Sequence, residues 1–178
     1  MNSKDLGTIR SHDKIYLNED RKINTKESFK FLVKKSSEFI NSTENPDILD
    51  IGCATGDFVY YLSKTFPQAK CVGMDVIDDL LDRAKKEVPN VKFILSDITN
   101  KNSLPSEKFD VVFMVGVHPI FDDVFTVFDN AISMIKKNGK AYIFSIFNDS
   151  DIDTLVKVRN SSDDGHWQVG WNLFSKKI

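Results

Sequence analysis

The sequence predicts an α/β fold with a doubly wound, mostly parallel sheet and helices on both faces. Short apolar runs alternate with longer segments in which apolar residues recur every three or four positions, a pattern typical of strands alternating with amphipathic helices. The run Phe109–Val115 is almost continuously apolar, as central parallel strands are. Strands that alternate with helices are joined by right-handed crossover connections, and such connections place the strands parallel in one sheet.

Composition narrows the class of protein. The 178 residues are enough for one domain with a sizeable core. A formal net charge of −2 gives no strong electrostatic footprint, so we expect no nucleic-acid partner. No stretch approaches the length of a membrane span and no secretion signal is evident, so we expect no membrane partner and a cytoplasmic location. Cys53 and Cys71 lie in predicted strand regions and favour a reducing compartment over a disulfide scaffold.

The segment Ile48–Asp57 organises the rest of the chain. An apolar run containing Asp50 ends in a turn of small residues, and a helical pattern follows. Gly52 and Gly56 let the backbone turn sharply and approach a ligand closely. The free N–H groups at the start of the next helix point into the same space, at the carboxyl ends of the strands, where ligands bind in such sheets.

The spacing of this turn argues against a dinucleotide. The small residues are Gly52, Ala54 and Gly56, whereas a dinucleotide fingerprint reads G-x-G-x-x-G. The acids on either side of the turn would repel an anionic pyrophosphate and attract a cationic amine or sulfonium. The segment resembles motif I of the class I S-adenosylmethionine-dependent methyltransferases, and the likeness extends over roughly residues 45–147.

The resemblance implies that the cofactor is S-adenosylmethionine and that its methyl group is transferred to an acceptor. It also implies a set of cofactor contacts from the glycine turn and from the ends of the following strands: Asp50, Gly52, Cys53, Ala54, Gly56, Asp75, Val76, Asp97, Ile98 and Val115. We assign no metal ligands.

Asp75 ends the predicted strand Lys70–Asp75. A carboxylate there can accept two hydrogen bonds from a ribose diol. The alternative is that Asp75 caps the helix that begins near Ile77, although Asp78 is available for that role. Ribose binding would serve NAD equally well, so Asp75 does not separate the two cofactors.

Asp97 follows the predicted strand Val91–Leu95. The resemblance implies that Asp97 binds the exocyclic amine of adenine and that Ile98 covers the ring. The alternative is that Asp97 is a polar loop residue that caps the next turn. NAD-binding folds do not usually place an acid here, so this position favours the methyltransferase interpretation.

His118 is the candidate catalytic residue. It lies in the loop Gly116–Phe121, where the resemblance places the transferred methyl group. An imidazole there would accept a proton from an attacking hydroxyl or amine. The alternative is that His118 only orders the loop before Pro119 or donates a hydrogen bond to a backbone carbonyl.

Residues 1–44 are predicted to form an arm and a helix. Asn24 and Glu27 form a capping-box pattern at the helix start, and apolar residues follow at helical spacing. The simplest interpretation is a helix that packs on one face of the sheet. The resemblance implies a lid over the cofactor, with Tyr16 as a contact, and makes residues 45–178 the cofactor-binding domain.

The pattern after the fourth strand predicts a helix over Asp122–Ile135, a solvated cap at Lys136–Gly139 and a fifth strand over Lys140–Phe147. Residues 151–158 are predicted to form one short helix, and Trp167–Phe174 a strand or a loop. Methyltransferases of this class normally add a further helix and an antiparallel strand pair. We therefore expect missing or reduced carboxyl-terminal strands and an exposed sheet edge, which invites association between chains.

Only the absence of certain motifs restricts the class of acceptor that the sequence predicts. No Asn-Pro-Pro-Tyr-like run follows the fourth strand, and neither cysteine stands where a cytosine-C5 nucleophile should be. We therefore expect a small-molecule or sugar-like acceptor, and Trp167 and Trp171 either pack in a core or interface or line its pocket. Two other functions stay open: an NAD(P)-dependent oxidoreductase, and a non-catalytic binding module with the same fold.

Overall fold

The computed structural model describes residue 16, residues 21–159, residue 161 and residues 167–177. One parallel sheet of five strands has the order β3-β2-β1-β4-β5. Because the strand order reverses between β1 and β4, ligands are expected in the crevice between the carboxyl ends of these two strands. The predicted doubly wound parallel sheet is confirmed. Its strands are β1 (Asp47–Ile51), β2 (Lys70–Asp75), β3 (Lys92–Leu95), β4 (Phe109–Val115) and β5 (Ile135–Phe144).

Helices cover both faces of this sheet, as predicted. They are α1 (Glu27–Ser42), α2 (Asp57–Thr65), α3 (Asp78–Glu87) and α4 (Val124–Ser133). One core lies under α1 and α2, where Phe58 packs edge-on against Phe113 of β4, with 5.1 Å between the ring centroids. The other core lies under α4, where Val127 and Ala131 join side chains from the opposite face of β1 and β4.

The start of α1 differs from the prediction. The helix begins at Glu27, and its N-cap is Lys26, which makes no side-chain capping hydrogen bond. The predicted capping box of Asn24 and Glu27 is wrong, because the Glu27 carboxylate instead accepts a hydrogen bond from Lys30 at 2.6 Å. The exposed Glu27–Lys30 pair lies on one helix face, three residues apart, where surface ion pairs stabilise little.

The connection between α4 and β5 also differs. The helix ends at Ser133, and β5 begins two residues later with a register shift, since Phe109 pairs with Ile135 whereas Val111 pairs with Lys140. The intervening Lys136 is not the predicted solvated cap. Its Nζ donates hydrogen bonds to Asp47 Oδ2 at 2.6 Å and Asp110 Oδ2 at 2.8 Å, and so cross-links β1 and β4.

The segment after β5 adds no strand to the sheet in the part of the chain that the structure describes. It forms short strands β6 (Phe147–Asn148), β7 (Lys157–Val158), β8 (Gln168–Val169) and β9 (Phe174–Ser175), paired β6 with β9 and β7 with β8. The helix predicted over residues 151–158 is therefore wrong. Association through the outer edge of β5 stays a prediction. Every described helix is too short or too polar to cross a membrane.

Candidate active site

A cavity of about 440 Å³ opens at the carboxyl ends of the strands. Its wall has two parts of different chemistry. The part formed by β1, β2 and β3 and their loops, which we call the acidic half, includes Asp50, Gly52, Cys53, Ala54, Asp57, Asp75, Val76, Asp97 and Ile98. The part formed by the ends of β4 and β5 and by the carboxyl-terminal segment, which we call the apolar half, consists of Val115, Gly116, Val117, Ile120, Phe121, Phe144, Ser145, Ile146 and Trp171.

The turn at Gly52 lies between the two halves of the cavity. Gly52 has a φ of +72°, which only glycine adopts without strain, and a Cβ at this position would lie 2.3 Å from Val117 Cγ2. The N–H groups of Gly52 and Cys53 donate to the carbonyl of Met74 at 2.7 and 3.0 Å. The turn is therefore pinned to β2 and in direct contact with the loop after β4.

Gly56 has a different position from the one predicted. It precedes α2 with a φ of +79°, and a Cβ there would meet the ring of Phe93 at 3.0 Å and Ala84 at 3.3 Å. Gly56 is not among the residues that line the cavity. Gly56 allows the turn to pack closely against α3 and β3. We therefore expect it to determine the path of the backbone without contacting the ligand.

Asp50 is a buried acid in the wall of the cavity. Only 3% of its surface is exposed, and among the described residues none donates a hydrogen bond to its carboxylate. Burial, and secondly the charge of Asp75, raise the pKa of Asp50 well above its ordinary value. Since a buried carboxylate is stabilised by a positive partner, the site favours a cationic group of a ligand at this point.

Asp75 organises the turn through its own carboxylate. Oδ2 accepts the N–H of Ala54 at 2.8 Å, and Oδ1 accepts the N–H groups of Val76 and Ile77 at 2.8 and 3.0 Å. Asp75 does not cap α3, because the N-cap is Ile77 and the helix begins at Asp78 without a side-chain cap. The capping alternative is therefore wrong, and ribose binding by Asp75 stays a prediction.

Asp97 presents an oriented carboxylate. Its Oδ1 accepts hydrogen bonds from the N–H and the hydroxyl of Thr99, at 2.8 and 2.7 Å. No described residue donates to Oδ2, and the neighbouring Ile98 is buried in the cavity wall. Asn130 fixes this segment, because its amide donates to the carbonyl of Ile98 at 2.7 Å. Asp97 and Ile98 together fit a ligand that has a planar apolar ring and an amine.

The structure places His118 in the core instead of the cavity. The side chain is completely buried, and neither ring nitrogen has a hydrogen-bond partner within the described part of the chain. The ring stacks on Phe147, with 4.5 Å between centroids, and burial lowers the pKa of His118 to about 4. This placement contradicts the position beside the transferred methyl group on which the catalytic prediction depended. We therefore withdraw His118 as a candidate base.

Residues before α1 and in its first turn complete the wall, and this region makes a contact that the sequence analysis missed. Tyr16, Lys26, Ser28 and Phe29 line the cavity. Lys22 Nζ donates to Asp57 Oδ1 at 3.0 Å and also bonds to Glu87, which joins this segment to the start of α2 and the end of α3. The partners of Lys22 are 35 and 65 residues away in sequence, so no local pattern could have revealed the pairing.

Comparison with known proteins decides the family. Residues 48–139, just over half of the chain, match the family model described as a methyltransferase domain. The chain therefore belongs to the class I S-adenosylmethionine-dependent methyltransferases. This result does not favour the oxidoreductase alternative.

Individual relatives agree with this family. Malonyl-[acyl-carrier protein] O-methyltransferase 1 of Ilyobacter polytropus is 30% identical over 136 residues, which are 74% of this chain and 48% of the relative. Trans-aconitate 2-methyltransferase of an Enterobacter species is 29% identical over 93 residues, 52% of this chain and 36% of the relative. The crystal structure of the plantazolicin methyltransferase BamL in complex with a triazolic desmethylPZN analog and S-adenosylhomocysteine (SAH) has a TM-score of 0.56. It is 27% identical to this chain and covers 71% of this chain and 47% of that one. The chain spans about half the length of curated relatives that it matches.

The residues of the methyltransferase fit its family cofactor, S-adenosylmethionine. Nine of the ten predicted contacts line the cavity, the exception being Gly56. Asp50 offers a buried negative charge to a cationic ligand, and Asp97 offers an oxygen to an amine. The Gly52 turn has no room for a side chain. The individual contacts of these residues with the cofactor stay predictions.

We expect the affinity for S-adenosylmethionine to fall as the pH falls, through Asp50. In the free protein burial raises the pKa of Asp50, whereas a bound cation favours the ionised carboxylate. Binding therefore releases a proton between these two pKa values, and acid opposes binding there. The isosteric Asp50→Asn should lose this dependence and bind about tenfold more weakly near neutral pH.

Calorimetry at a series of pH values measures both effects. Asp79→Asn, on the exposed surface of α3, is the matched control and should behave as the unchanged protein. An identical pH slope in Asp50→Asn and the unchanged protein would show that another group takes up the proton.

Proposed function

We propose that this methyltransferase transfers a methyl group from S-adenosylmethionine to a carboxylate of a small-molecule acceptor. The observation that carries the proposal is the apolar half of the cavity, whose described lining residues include no titratable side chain. An acceptor bound there must bring a nucleophile that is already reactive. A carboxylate is ionised at neutral pH and needs no general base, whereas a sugar hydroxyl does.

The names of two relatives also favour a carboxylate acceptor. One is a malonyl-[acyl-carrier protein] O-methyltransferase and the other is a trans-aconitate 2-methyltransferase, and both names refer to carboxylic acids.

The chain then acts mainly by binding and orientation. When bound, S-adenosylmethionine supplies an electrophilic methyl group on a sulfonium. Asp50 and Asp97 hold the cationic and amine groups of the cofactor, and the contact between Gly52 and Val117 fixes how the two halves of the cavity meet. The apolar half positions the acceptor and excludes water, which favours attack by the acceptor oxygen over hydrolysis.

We also propose that residues 1–44 act as a lid on the domain formed by residues 45–178. Tyr16 and Lys26 line the cavity, and the Lys22 side chain bonds to Asp57 and Glu87. Arg83 donates a hydrogen bond to the carbonyl of Tyr16 at 3.3 Å. These contacts hold the segment before α1 over the acidic half, where a lid would cover the cofactor.

Binding and methyl transfer test the proposal separately. Calorimetry should show binding of S-adenosylmethionine and S-adenosylhomocysteine with comparable affinity, because most contacts are to their shared parts, and no binding of NADH. Transfer of a labelled methyl group should then be measured over small carboxylic acids, including malonate thioesters and trans-aconitate, with the matching primary amides as controls.

Each outcome has a distinct meaning. Methylation of the acids but not of the amides supports a carboxylate acceptor. Labelling of amines or hydroxyls instead would contradict the acceptor class but keep the reaction. Binding of NADH without S-adenosylmethionine would overturn the whole assignment, and cofactor binding without transfer to any acid would favour a non-catalytic module.

A further inference from the structure

The two tryptophans of the carboxyl-terminal segment occupy different environments. Trp167 is 62% exposed, carries the guanidinium of Arg159 at 5.0 Å from its ring and is not part of the cavity wall. Trp171 lines the apolar half of the cavity. Its Cη2 lies 3.9 Å from where a Cβ on Gly116 would be, which puts the indole beside the end of β4.

The residue after Trp171 fixes the position of this segment. Asn172 is almost fully buried, and its amide donates to the carbonyl of Phe121 at 2.9 Å and to Asp122 Oδ1 at 3.2 Å. Its Oδ1 accepts the N–H of Val156 at 2.8 Å, and its own N–H donates to the carbonyl of Pro119 at 2.8 Å. Because the amide uses both donors and its acceptor, the backbone next to Trp171 is held against the loop after β4.

Large apolar side chains stay exposed where the indole meets the cavity. Trp171 is 47% exposed, Ile146 is 72% exposed and Phe144 is 37% exposed, and all three line the apolar half. The N–H of Gly116 donates to the carbonyl of Phe144 at 2.8 Å, which keeps the ends of β4 and β5 together. Apolar surface that borders a cavity gains free energy when a ligand covers it, so this rim is suited to an apolar part of the acceptor.

We propose that Trp171 is a stacking platform that selects acceptors with a planar, conjugated group next to the nucleophilic carboxylate. The inference rests on the proposed function and names the substrate class of the same cavity. Indole offers a flat π surface that favours planar partners over saturated ones of equal area.

Calorimetry on the protein saturated with S-adenosylhomocysteine tests this selection without any turnover. The probes are 2-naphthoate and its saturated counterpart decahydro-2-naphthoate, which carry the same charge and differ in planarity. The unchanged protein should bind 2-naphthoate more tightly. Trp171→Ala should weaken 2-naphthoate binding about tenfold, and Trp171→Leu should remove the preference while it keeps the binding of the saturated probe. Trp167→Ala is the matched control and should leave both affinities unchanged.

The affinity for S-adenosylhomocysteine separates this inference from the proposed function. It should be the same in all four proteins, and thermal unfolding should confirm that the variants are folded. If the unchanged protein does not bind S-adenosylhomocysteine, the proposed function fails. If it does, the platform role is overturned by equal affinity for the two probes, by no measurable binding of either probe, or by equal behaviour of Trp171→Leu and Trp167→Ala.

Discussion

Gly52→Ala should lower the free energy of unfolding by about 2–4 kcal/mol and abolish most of the cofactor affinity. The left-handed backbone at a φ of +72° costs an L-residue about 1–2 kcal/mol. The new Cβ would lie 2.3 Å from Val117 Cγ2, and a β-branched, buried side chain cannot easily turn away. The turn must therefore shift, and the acidic half shifts with it. Urea unfolding and calorimetry with S-adenosylhomocysteine measure the two losses.

Gly116→Ala is the matched control for this change. Gly116 has a φ of +73°, so the backbone strain is the same, but its nearest neighbour, Trp171 Cη2, would be 3.9 Å from the Cβ, an ordinary contact distance. The difference between the two variants therefore isolates the clash with Val117. Adding Val117→Ala to Gly52→Ala should restore part of the stability, measured as a coupling free energy. Equal losses in Gly52→Ala and Gly116→Ala would mean that the contact between the two loops does not matter.

The position of the cavity was predictable because it follows from local patterns. The alternation of apolar runs and helical segments specifies parallel strands, and the turn at Gly52 marks where β1 ends. Asp50 lies one residue before the end of β1, Asp75 ends β2 and Asp97 follows β3, so the parallel strands bring all three to one edge. Every one of these inferences depends on residues close together in the sequence.

The features that sequence analysis missed depend on distant residues. Lys136 looked like a helix cap, but it bonds to Asp47 and Asp110, which lie on β1 and β4. Lys136 lies in a β-bulge, since Phe109 and Val111 are two residues apart in β4 but pair with residues five apart in β5. Lys22 likewise acts through partners on two helices. Propensity and spacing within a short window carry no information about such pairs.

The environment of His118 also depends on residues that are distant in sequence. A histidine before a proline in the loop after β4 has the position that the resemblance predicts for a base. The ring packs against Phe147 and Phe174, which belong to the short strands β6 and β9, and against Phe128 of α4. The pairing of those strands could not be predicted from two-residue segments.

The buried imidazole of His118 should make the protein less stable in mild acid. Its pKa of about 4, against 6.5 for an unperturbed histidine, means that the unfolded chain binds one more proton than the folded one between these values. The contribution of His118 to stability is therefore constant above about pH 6.5 and becomes unfavourable as the pH falls toward about 4, by about 3 kcal/mol in total. Carboxylates also contribute to acid unfolding, so a comparison with a variant that lacks only this group is required.

His118→Leu provides that comparison. Leucine removes a buried ring whose nitrogens have no partner among the described residues, so the variant should be as stable as the unchanged protein, or slightly more stable, near neutral pH. Its advantage should then grow to about 3 kcal/mol near pH 4, measured by urea unfolding at a series of pH values. Phe128→Leu, which alters the same cluster without a titrating group, should change stability by an amount independent of pH. A constant difference for His118→Leu would mean that the imidazole can be protonated in the folded protein, which requires water or a hydrogen-bond acceptor to reach the ring. Because His118 does not line the cavity, the variant should keep its affinity for S-adenosylhomocysteine, and a loss of that affinity would return the residue to the site.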